Sequence, residues 1–243
     1  MRAWQQNWQS NCATSAHIPA YTRHLPAEGG HVIVCWSLKG GSGTTVVSAA
    51  LALTLAQRNT ATVRIVDLAG DIPSALGIAE PSGEGVTNWL QQQRFAIQSL
   101  QIPVTARVSL IPRGDGPLMH HDLTAEHCNT LATELDTSSE LTVVDAGSGH
   151  IPQLVNNATT SLLVIRPCYL ALRKAAHLSV KPHGIVLINE PGRSLGKRDV
   201  ESVVGAPVLV ELPLDPTIAR CVDAGLLASR IPTMLSQHLA HVA

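Results

Sequence analysis

The sequence predicts an α/β fold: a mostly parallel, doubly wound sheet of about seven strands with helices on both faces. Two observations lead to this prediction. Hydrophobic residues make up 45% of the 243 residues but aromatic ones only 3%, so aliphatic side chains must fill the core, as in buried parallel strands covered by helices. Short apolar runs also alternate with segments long enough for helices. The runs are HVIVCWS, TVRIVD, RVSLIP, LTVVDAG, TSLLVIR, HGIVLIN and APVLVEL.

The length favours one domain, residues 30–243, preceded by a flexible tail, residues 1–29. The tail is rich in Gln, Asn, Ser and His and has no hydrophobic period. Trp4 and Trp8 in it leave open a short helical turn for a partner, although incidental aromatics in a disordered extension are favoured. The sequence shows neither a signal-peptide core nor an apolar stretch long enough to span a bilayer, so we expect a soluble, cytoplasmic protein.

Charge and cysteine usage narrow the classes of partner and compartment. The chain has 17 Lys and Arg against 18 Asp and Glu, so no global basic field attracts nucleic acid or anionic lipid. The five cysteines are odd in number and show no CxxC spacing. This pattern is typical of reduced thiols in a cytoplasm.

A glycine-rich segment, SLKGGSGTT from Ser37 to Thr45, lies between the first strand and the segment TTVVSAALALTLAQR, which has the length and composition of a buried helix. Three glycines in four positions allow several backbone N–H groups to point at one centre, and the helix N-terminus adds a favourable dipole. The segment therefore predicts a phosphate-binding loop, with a plain glycine connector as the alternative.

With Lys39 at its start, this loop resembles the deviant phosphate loop of the MinD/ParA family, KGGxGK(T/S). The resemblance implies a P-loop NTPase-like domain that binds ATP or ADP with Mg²⁺ and pairs with a second copy. It gives Lys39 a reach across the dimer interface to the partner's phosphates, and Thr45 a contact with Mg²⁺. The residues that would contact the nucleotide here are Lys39, Gly40, Gly41, Ser42, Gly43, Thr44 and Thr45.

Two positions depart from the family pattern. Thr44 stands where the family has the lysine that grips the β- and γ-phosphates, and Leu38 stands where a glycine usually precedes Lys39. Loss of a charge-assisted contact costs about 1.5 to 3 kcal/mol, or about ten- to a hundred-fold in affinity. We therefore expect binding to survive on the backbone and Lys39, and hydrolysis to be weak or absent.

Two carboxylates follow predicted strands at the edge where open α/β sheets bind ligands. By the resemblance, Asp67 positions the attacking water and senses the γ-phosphate. The family's second acid is replaced by Ala69, and Asp71 either substitutes for it or, the favoured interpretation, caps the following turn. Asp145 ends LTVVD, a Walker B pattern whose acid orients water on Mg²⁺. The alternative for Asp145 is a helix N-cap.

The resemblance continues to about residue 232. Asn189 at the end of GIVLIN matches the family's asparagine that hydrogen-bonds the adenine edge, and Pro213 and Asp215 lie at the corresponding turn beside the base. The specificity of the match lies in the order and spacing of five motifs.

Other clusters have simpler interpretations. MHHDLTAEHC contains His120, His121 and His127 with acids and Cys128, but lacks the spacing of a known zinc motif, so a metal site is not favoured. RPCYLALRKAAHLSVKP is the most basic stretch, and a solvated helix face is favoured over a partner, phosphate or DNA contact. The charged side chains of GRSLGKRD could contact either the nucleotide or a partner, and the sequence does not favour one over the other. The final segment contains no Lys or Arg, so we expect no autonomous membrane anchor.

The sequence thus favours a nucleotide-responsive switch or scaffold that forms a homodimer and recruits or positions a protein partner. Family members that tolerate a broken loop resemble pilus-assembly and secretion localisation factors of the TadZ/CpaE type, with septum-site proteins of cell division close behind. Any membrane or polar localisation would come through the partner. The alternatives are a DNA-partitioning ATPase, which needs a basic surface, and a P-loop ligase or synthetase, which needs a strong phosphate grip. An active enzyme would be a slow Mg²⁺-dependent ATPase.

Overall fold

The structure is a computed structural model that describes residues 31–58, 61–92, 94–116, 124–136, 140–149 and 151–243. Within these ranges the chain forms one eight-stranded sheet, nine α-helices and a short 3₁₀ helix, Ile97–Leu100. The strands are β1 (His31–Trp36), β2 (Val63–Asp67), β3 (Ile102–Pro103), β4 (Val108–Ile111), β5 (Leu141–Asp145), β6 (Thr160–Ile165), β7 (Gly184–Asn189) and β8 (Val208–Pro213). The helices are α1 (Thr44–Arg58), α2 (Ile72–Leu76), α3 (Val86–Gln92), α4 (Ala125–Asp136), α5 (Pro152–Asn157), α6 (Tyr169–Ala175), α7 (Lys197–Val204), α8 (Pro216–Asp223) and α9 (Thr233–Leu239). The predicted tail, residues 1–29, lies outside the described residues.

The sheet has the strand order β3-β4-β2-β5-β1-β6-β7-β8, and every pair is parallel except β3–β4. The mostly parallel α/β prediction is confirmed, and all seven predicted strands are present. The eighth, Ile102–Pro103, was not predicted. It is two residues long and pairs only with Leu110 and Ser109, so it carries no hydrophobic period that the sequence could show.

Both faces of the sheet are covered, because successive side chains of a strand point to opposite faces. In β1, Val32, Val34 and Trp36 belong to one buried cluster, whereas Ile33 and Cys35 belong to the other. The prediction of helices on both faces is therefore confirmed.

The helix that follows the glycine loop, α1, is buried along most of its length in the second of these clusters. The C-terminal helix α9 packs against it: Leu235 and Leu239 are buried, and the Arg58 guanidinium donates to the carbonyl of Ala240 at 2.7 Å. The apolar side chains of the last helix are thus used in the core. Among the described residues, no helix combines the length and apolar character needed to cross a membrane.

The sheet order reverses at β1, which lies between β5 and β6. Ligands bind such folds in the crevice outside the carboxyl ends of the strands at this point. Backbone hydrogen bonds join the loops there: the amide of Ser37 donates to Gly147 O, and that of Leu68 to Asp145 O, both at 2.9 Å. The loops that follow β1, β2 and β5 are therefore held together at one edge of the sheet.

Candidate functional site

A cavity of about 420 Å³ lies at this edge. The loops after four strands line it, and they contribute Ser37, residues 40–46, Leu68, Ala69, Asp71, Arg113, residues 146–149 and Ile151. Six of the seven loop residues predicted to contact a nucleotide, all except Lys39, are in this lining. The predicted phosphate loop therefore opens onto a hollow instead of packing against the core.

The glycines keep this loop open. Gly41 and Gly43 have φ of +74° and +89°, a left-handed backbone that favours glycine. A Cβ at Gly40, Gly41 or Gly43 would meet no atom within 4 Å, so their surfaces face free space. Leu38 does not fill the hollow, because its side chain packs against the core cluster. The first turn of α1 carries no acidic side chain, which leaves its positive dipole end free to face an anion.

Hydroxyls hold the loop in shape. The Oγ atoms of Ser37 and Ser42 donate to the carbonyl of Lys39 at 3.1 and 3.0 Å. The Lys39 ammonium donates to the adjacent Gly40 carbonyl at 3.3 Å and does not line the cavity of its own chain. Its reach to a second copy stays a prediction.

Asp145 is fully buried at the end of β5, beside the hydroxyl of Thr45. One carboxylate oxygen, Oδ1, accepts the amide of Gly147 at 3.1 Å, while Oδ2 is buried and has no hydrogen-bond partner among the described residues. Burial, and then the charge of Asp67, raise the pKa of Asp145 to about 7, and the Thr45 hydroxyl opposes them. An unpartnered buried carboxylate oxygen next to a hydroxyl fits a hard divalent cation such as Mg²⁺.

Asp67 lies beside Asp145 in the register of β2 and β5 and is also fully buried. Its carboxylate accepts three amides of the following turn: Ala69 and Gly70 at 3.0 and 2.6 Å on Oδ1, and Ile72 at 3.0 Å on Oδ2. Burial raises the pKa of Asp67, and these three bonds oppose the rise. The side chain organises the turn and does not line the cavity. Its role toward an attacking water stays a prediction.

The structure decides two capping alternatives. Asp71 occupies the N-cap position of α2, but its side chain makes no capping hydrogen bond and instead lines the cavity, so the favoured interpretation of Asp71 as a cap is wrong. Asp145 is not a helix N-cap either, because the next helix begins at Pro152 with Ile151 at its N-cap. Asp71 therefore belongs to the cavity lining, and Asp145 directly precedes Ala146 of that lining.

A second, mainly apolar cavity of about 290 Å³ shares Ser42 and Gly43 with the first. Pro213 and Asp215 line it, as the resemblance places them beside a base. Asp215 also caps α8 by accepting the Thr217 amide at 2.7 Å, a bond that lowers the pKa of Asp215. Asn189 pairs with Pro213 in the sheet, but its side chain is exposed and is not part of the lining. Its contact with adenine stays a prediction.

Two cationic residues lie at these loops: sequence reasoning missed Arg113, and it had Lys174 only as part of the basic stretch. Arg113, after β4, lines the first cavity. Lys174, on α6, donates from Nζ to the carbonyl of Leu38 at 2.8 Å and so ties that helix to the phosphate loop. In the same basic stretch, Arg166, which precedes α6, lines the second cavity, whereas Arg173 and Lys174 lie on the exposed face of α6, as the solvated-face interpretation predicts. A cation directly after a strand at the ligand edge was the available signal for Arg113.

The remaining clusters play other parts. His120, His121 and Asp122 lie outside the described residues, and the described part of the chain shows no group of three metal-binding side chains. Cys128 is buried in the core. In GRSLGKRD, two cations form ion pairs within the chain: Arg193 with Glu190 at 2.9 Å, and Lys197 with Glu211 at 3.1 Å.

No protein-family model matches the chain, and no curated protein matches it. Solved structures do. The cell division ATPase MinD from Pyrococcus furiosus is 21% identical, with a TM-score of 0.69 over 88% of this chain and 100% of that one. MinD from Pyrococcus horikoshii OT3, complexed with Mg-ADP, is 19% identical, with a TM-score of 0.68 over 88% and 94%. A ParA family ATPase from Chlorobium tepidum TLS is 17% identical, with a TM-score of 0.67 over 88% and 98%. The chain has the fold of the MinD and ParA family ATPases, as its motifs predicted.

Proposed function

We propose that this protein is a MinD/ParA-like nucleotide switch or scaffold: it binds ATP or ADP with Mg²⁺, pairs with a second copy, and recruits or positions a protein partner. The observation that carries the proposal is the open glycine loop, whose cavity is lined by six of the predicted contact residues and by Ala146, the residue after the half-partnered Asp145. A connector loop would have no need of such a hollow.

The residues fit a magnesium nucleotide. The amides of the loop and the N-terminus of α1 suit the phosphates, and Thr45 with Asp145 suits the cation. The second cavity adjoins the first through Ser42 and Gly43, and its apolar walls suit a base. Bound Mg²⁺ would supply charge neutralisation between the phosphates and the buried carboxylate.

Several solved structures with this fold support a ligand and partners of this class. MinD from Pyrococcus horikoshii OT3 holds Mg-ADP, and a variant of McdA from Cyanothece holds ATP. MinD from Aquifex aeolicus forms a complex with MinC. On this basis, and on the broken loop shared with TadZ/CpaE-type factors, we place the partner in pilus assembly or secretion, or in cell division.

Pairing of two copies has support on α6. Tyr169 and Leu170 are 73% and 52% exposed at the start of this helix, and the same helix is tied to the phosphate loop through Lys174. Exposed apolar side chains next to a ligand loop are typical of an interaction surface. We propose that a second copy docks there and that its Lys39 reaches this cavity, as the resemblance implies.

Weak or absent hydrolysis follows from Thr44. Its side chain lines the cavity and is 5% exposed, so a neutral hydroxyl occupies the place of a charged amine. A hydroxyl donates one hydrogen bond but cannot stabilise charge that develops in a transition state. ATP would then act as a ligand that stabilises the paired form by mass action.

Calorimetry with ATP and ADP in Mg²⁺, together with light scattering, tests this proposal. We expect both nucleotides to bind and ATP to shift the protein toward a dimer. Thr44→Lys should tighten ATP about ten- to a hundred-fold, because it restores a charge-assisted contact. Thr133→Lys, which adds the same charge at an exposed position on α4, is the matched control and should change nothing.

Three results would contradict the proposal. The absence of ATP and ADP binding at millimolar concentration would leave only a structural scaffold. Equal effects of Thr44→Lys and Thr133→Lys would show that the charge acts non-specifically. Salt-sensitive DNA binding by the ATP-bound protein would favour the partitioning alternative over recruitment of a protein partner.

A further inference from the structure

We infer that Arg113 binds the phosphate chain of the nucleotide and takes the place of the lysine that Thr44 has replaced. This inference rests on the proposed function and names a further binding residue for it. Among the described residues that line the first cavity, Arg113 is the one with a cationic side chain. The Lys39 ammonium, by contrast, bonds to its own loop and lies outside that lining.

The sheet order brings Arg113 to the cavity. β4 is the neighbour of β2, so the residue that follows Pro112 at the end of β4 lies next to the turn that follows Asp67. There the side chain passes over Gly70: a Cβ on Gly70 would meet Arg113 Cδ at 2.9 Å and Nη1 at 3.1 Å. A glycine at position 70 therefore leaves the space through which the arginine reaches the hollow.

The backbone of Arg113 is fixed before any ligand binds. Its carbonyl accepts two hydrogen bonds from Thr87, one from the amide at 3.1 Å and one from the hydroxyl at 2.8 Å. The preceding carbonyl, that of Pro112, accepts the amide of Val86 at 2.9 Å. The start of α3 thus holds this position, which lowers the ordering cost of a contact made by the side chain.

The guanidinium has donors to spare. Nη1 donates to the carbonyl of Ala69 at 3.4 Å, a long bond, and Nε is buried without a hydrogen-bond partner among the described residues. A guanidinium offers five N–H donors in a planar fork that matches phosphate oxygens. Because Nε is buried, a phosphate group in the cavity would bond to the Nη groups, of which Nη1 makes only the long bond to Ala69 O.

The charge balance of the site points the same way. Asp71 lines the cavity, and the buried acids Asp67 and Asp145 directly precede Leu68 and Ala146 of the lining, whereas the loop itself contributes no cation to it. A polyphosphate entering such a site needs a positive side chain as well as Mg²⁺. Arg113 supplies that charge from the loop that follows β4.

The test measures the affinity of Arg113→Gln for ATP, ADP and adenosine by calorimetry with Mg²⁺. We expect ATP binding to weaken about ten- to a hundred-fold, the loss typical of one charge-assisted contact, and adenosine binding to stay as in the wild type. The ATP affinity of Arg113→Lys should lie between that of the wild type and that of Arg113→Gln. Adding Thr44→Lys to Arg113→Gln should restore ATP affinity. Arg94→Gln, at an exposed position outside the cavity lining, is the matched control.

A second measurement needs no substitution. Phenylglyoxal modifies accessible guanidinium groups, and mass spectrometry locates the modified residue. We expect Mg-ATP, and not adenosine, to protect Arg113 of the wild-type protein.

The outcomes separate this inference from the proposed function. If the wild type binds ATP but Arg113→Gln binds it equally well, or if Mg-ATP leaves Arg113 unprotected, the role of Arg113 is refuted and the nucleotide switch stands. If the wild type binds neither ATP nor ADP, both the role of Arg113 and the proposed nucleotide switch are refuted. Equal losses for ATP and adenosine would show that Arg113 only supports the fold.

Discussion

Replacing Asp145 by asparagine should stabilise the metal-free protein most at high pH. The carboxyl group is fully buried, and burial together with Asp67 raises its pKa from 3.8 to about 7. The folded state therefore keeps a proton that the unfolded state has released. The stability that this proton contributes is complete below about pH 4 and is lost as the pH rises through 7.

The size of the effect follows from linkage. Between the two pKa values, each pH unit removes about 1.4 kcal/mol of folding free energy, so the wild type should lose about 2 kcal/mol through Asp145 between pH 5.5 and pH 8.5. Asparagine keeps the shape and an oxygen that can accept the Gly147 amide, but it does not titrate. The advantage of Asp145→Asn over the wild type should therefore grow by about 2 kcal/mol across this range.

Urea unfolding in EDTA at both pH values, followed by tryptophan fluorescence, measures this difference, since Trp36 and Trp89 are buried. Asp136→Asn, at an exposed position on α4, is the control and should show no growing advantage. Mg²⁺ at pH 8.5 should stabilise the wild type and leave Asp145→Asn unchanged. If the wild type and Asp145→Asn lost the same stability between the two pH values, Asp145 would be ionised throughout and the reasoning refuted.

Two further predictions concern buried charges outside the loop. Asp67→Ala should remove the acceptor of three turn amides, lower stability by about 1 to 3 kcal/mol, and speed amide exchange at Gly70 and Ile72; unchanged exchange would contradict this. Arg64, fully buried in β2, lies 3.4 Å from Glu140, whose side chain is 25% exposed. Glu140→Gln should therefore lower stability by about 1.5 to 3 kcal/mol, more than Arg64→Met does, because only Glu140→Gln keeps the buried cation while removing this carboxylate. The reverse order in urea unfolding would contradict the prediction.

Most of the strands could be predicted because they are buried along most of their length and so read as mainly apolar runs. The run from Leu141 to Asp145 is buried at all five positions, and the same holds from Val63 to Asp67. The edge strand Ile102–Pro103 escaped because its pairing depends on β4 and not on its own residues. Local pattern therefore predicts every strand of four residues or more, including the edge strand β8, but not the two-residue strand β3.

Some residues of the site could likewise be predicted from local sequence, and others could not. Residues that act from one continuous segment, such as the glycine loop, could be identified from their spacing. Arg113 follows an apolar run, which was a signal, but its place at the cavity depends on β4 lying beside β2, which the sequence does not state. Asp71 was misjudged since a capping residue and a cavity residue look alike before the side-chain direction is known.

Replacement of the loop lysine changes how the whole site must work. With Thr44 neutral, the loop lines the cavity without a cation, while burial and the charge of Asp67 raise the pKa of Asp145. A nucleotide entering alone would add negative charge to an acidic edge, whereas Mg²⁺ entering alone would meet few ligands. The nucleotide and Mg²⁺ each lower the electrostatic cost of binding the other, so they should bind cooperatively. The proposed contact of Arg113 would offset further phosphate charge. Such a site is suited to holding a magnesium nucleotide as a structural ligand, because its cations neutralise the bound state without a lysine placed to favour bond cleavage.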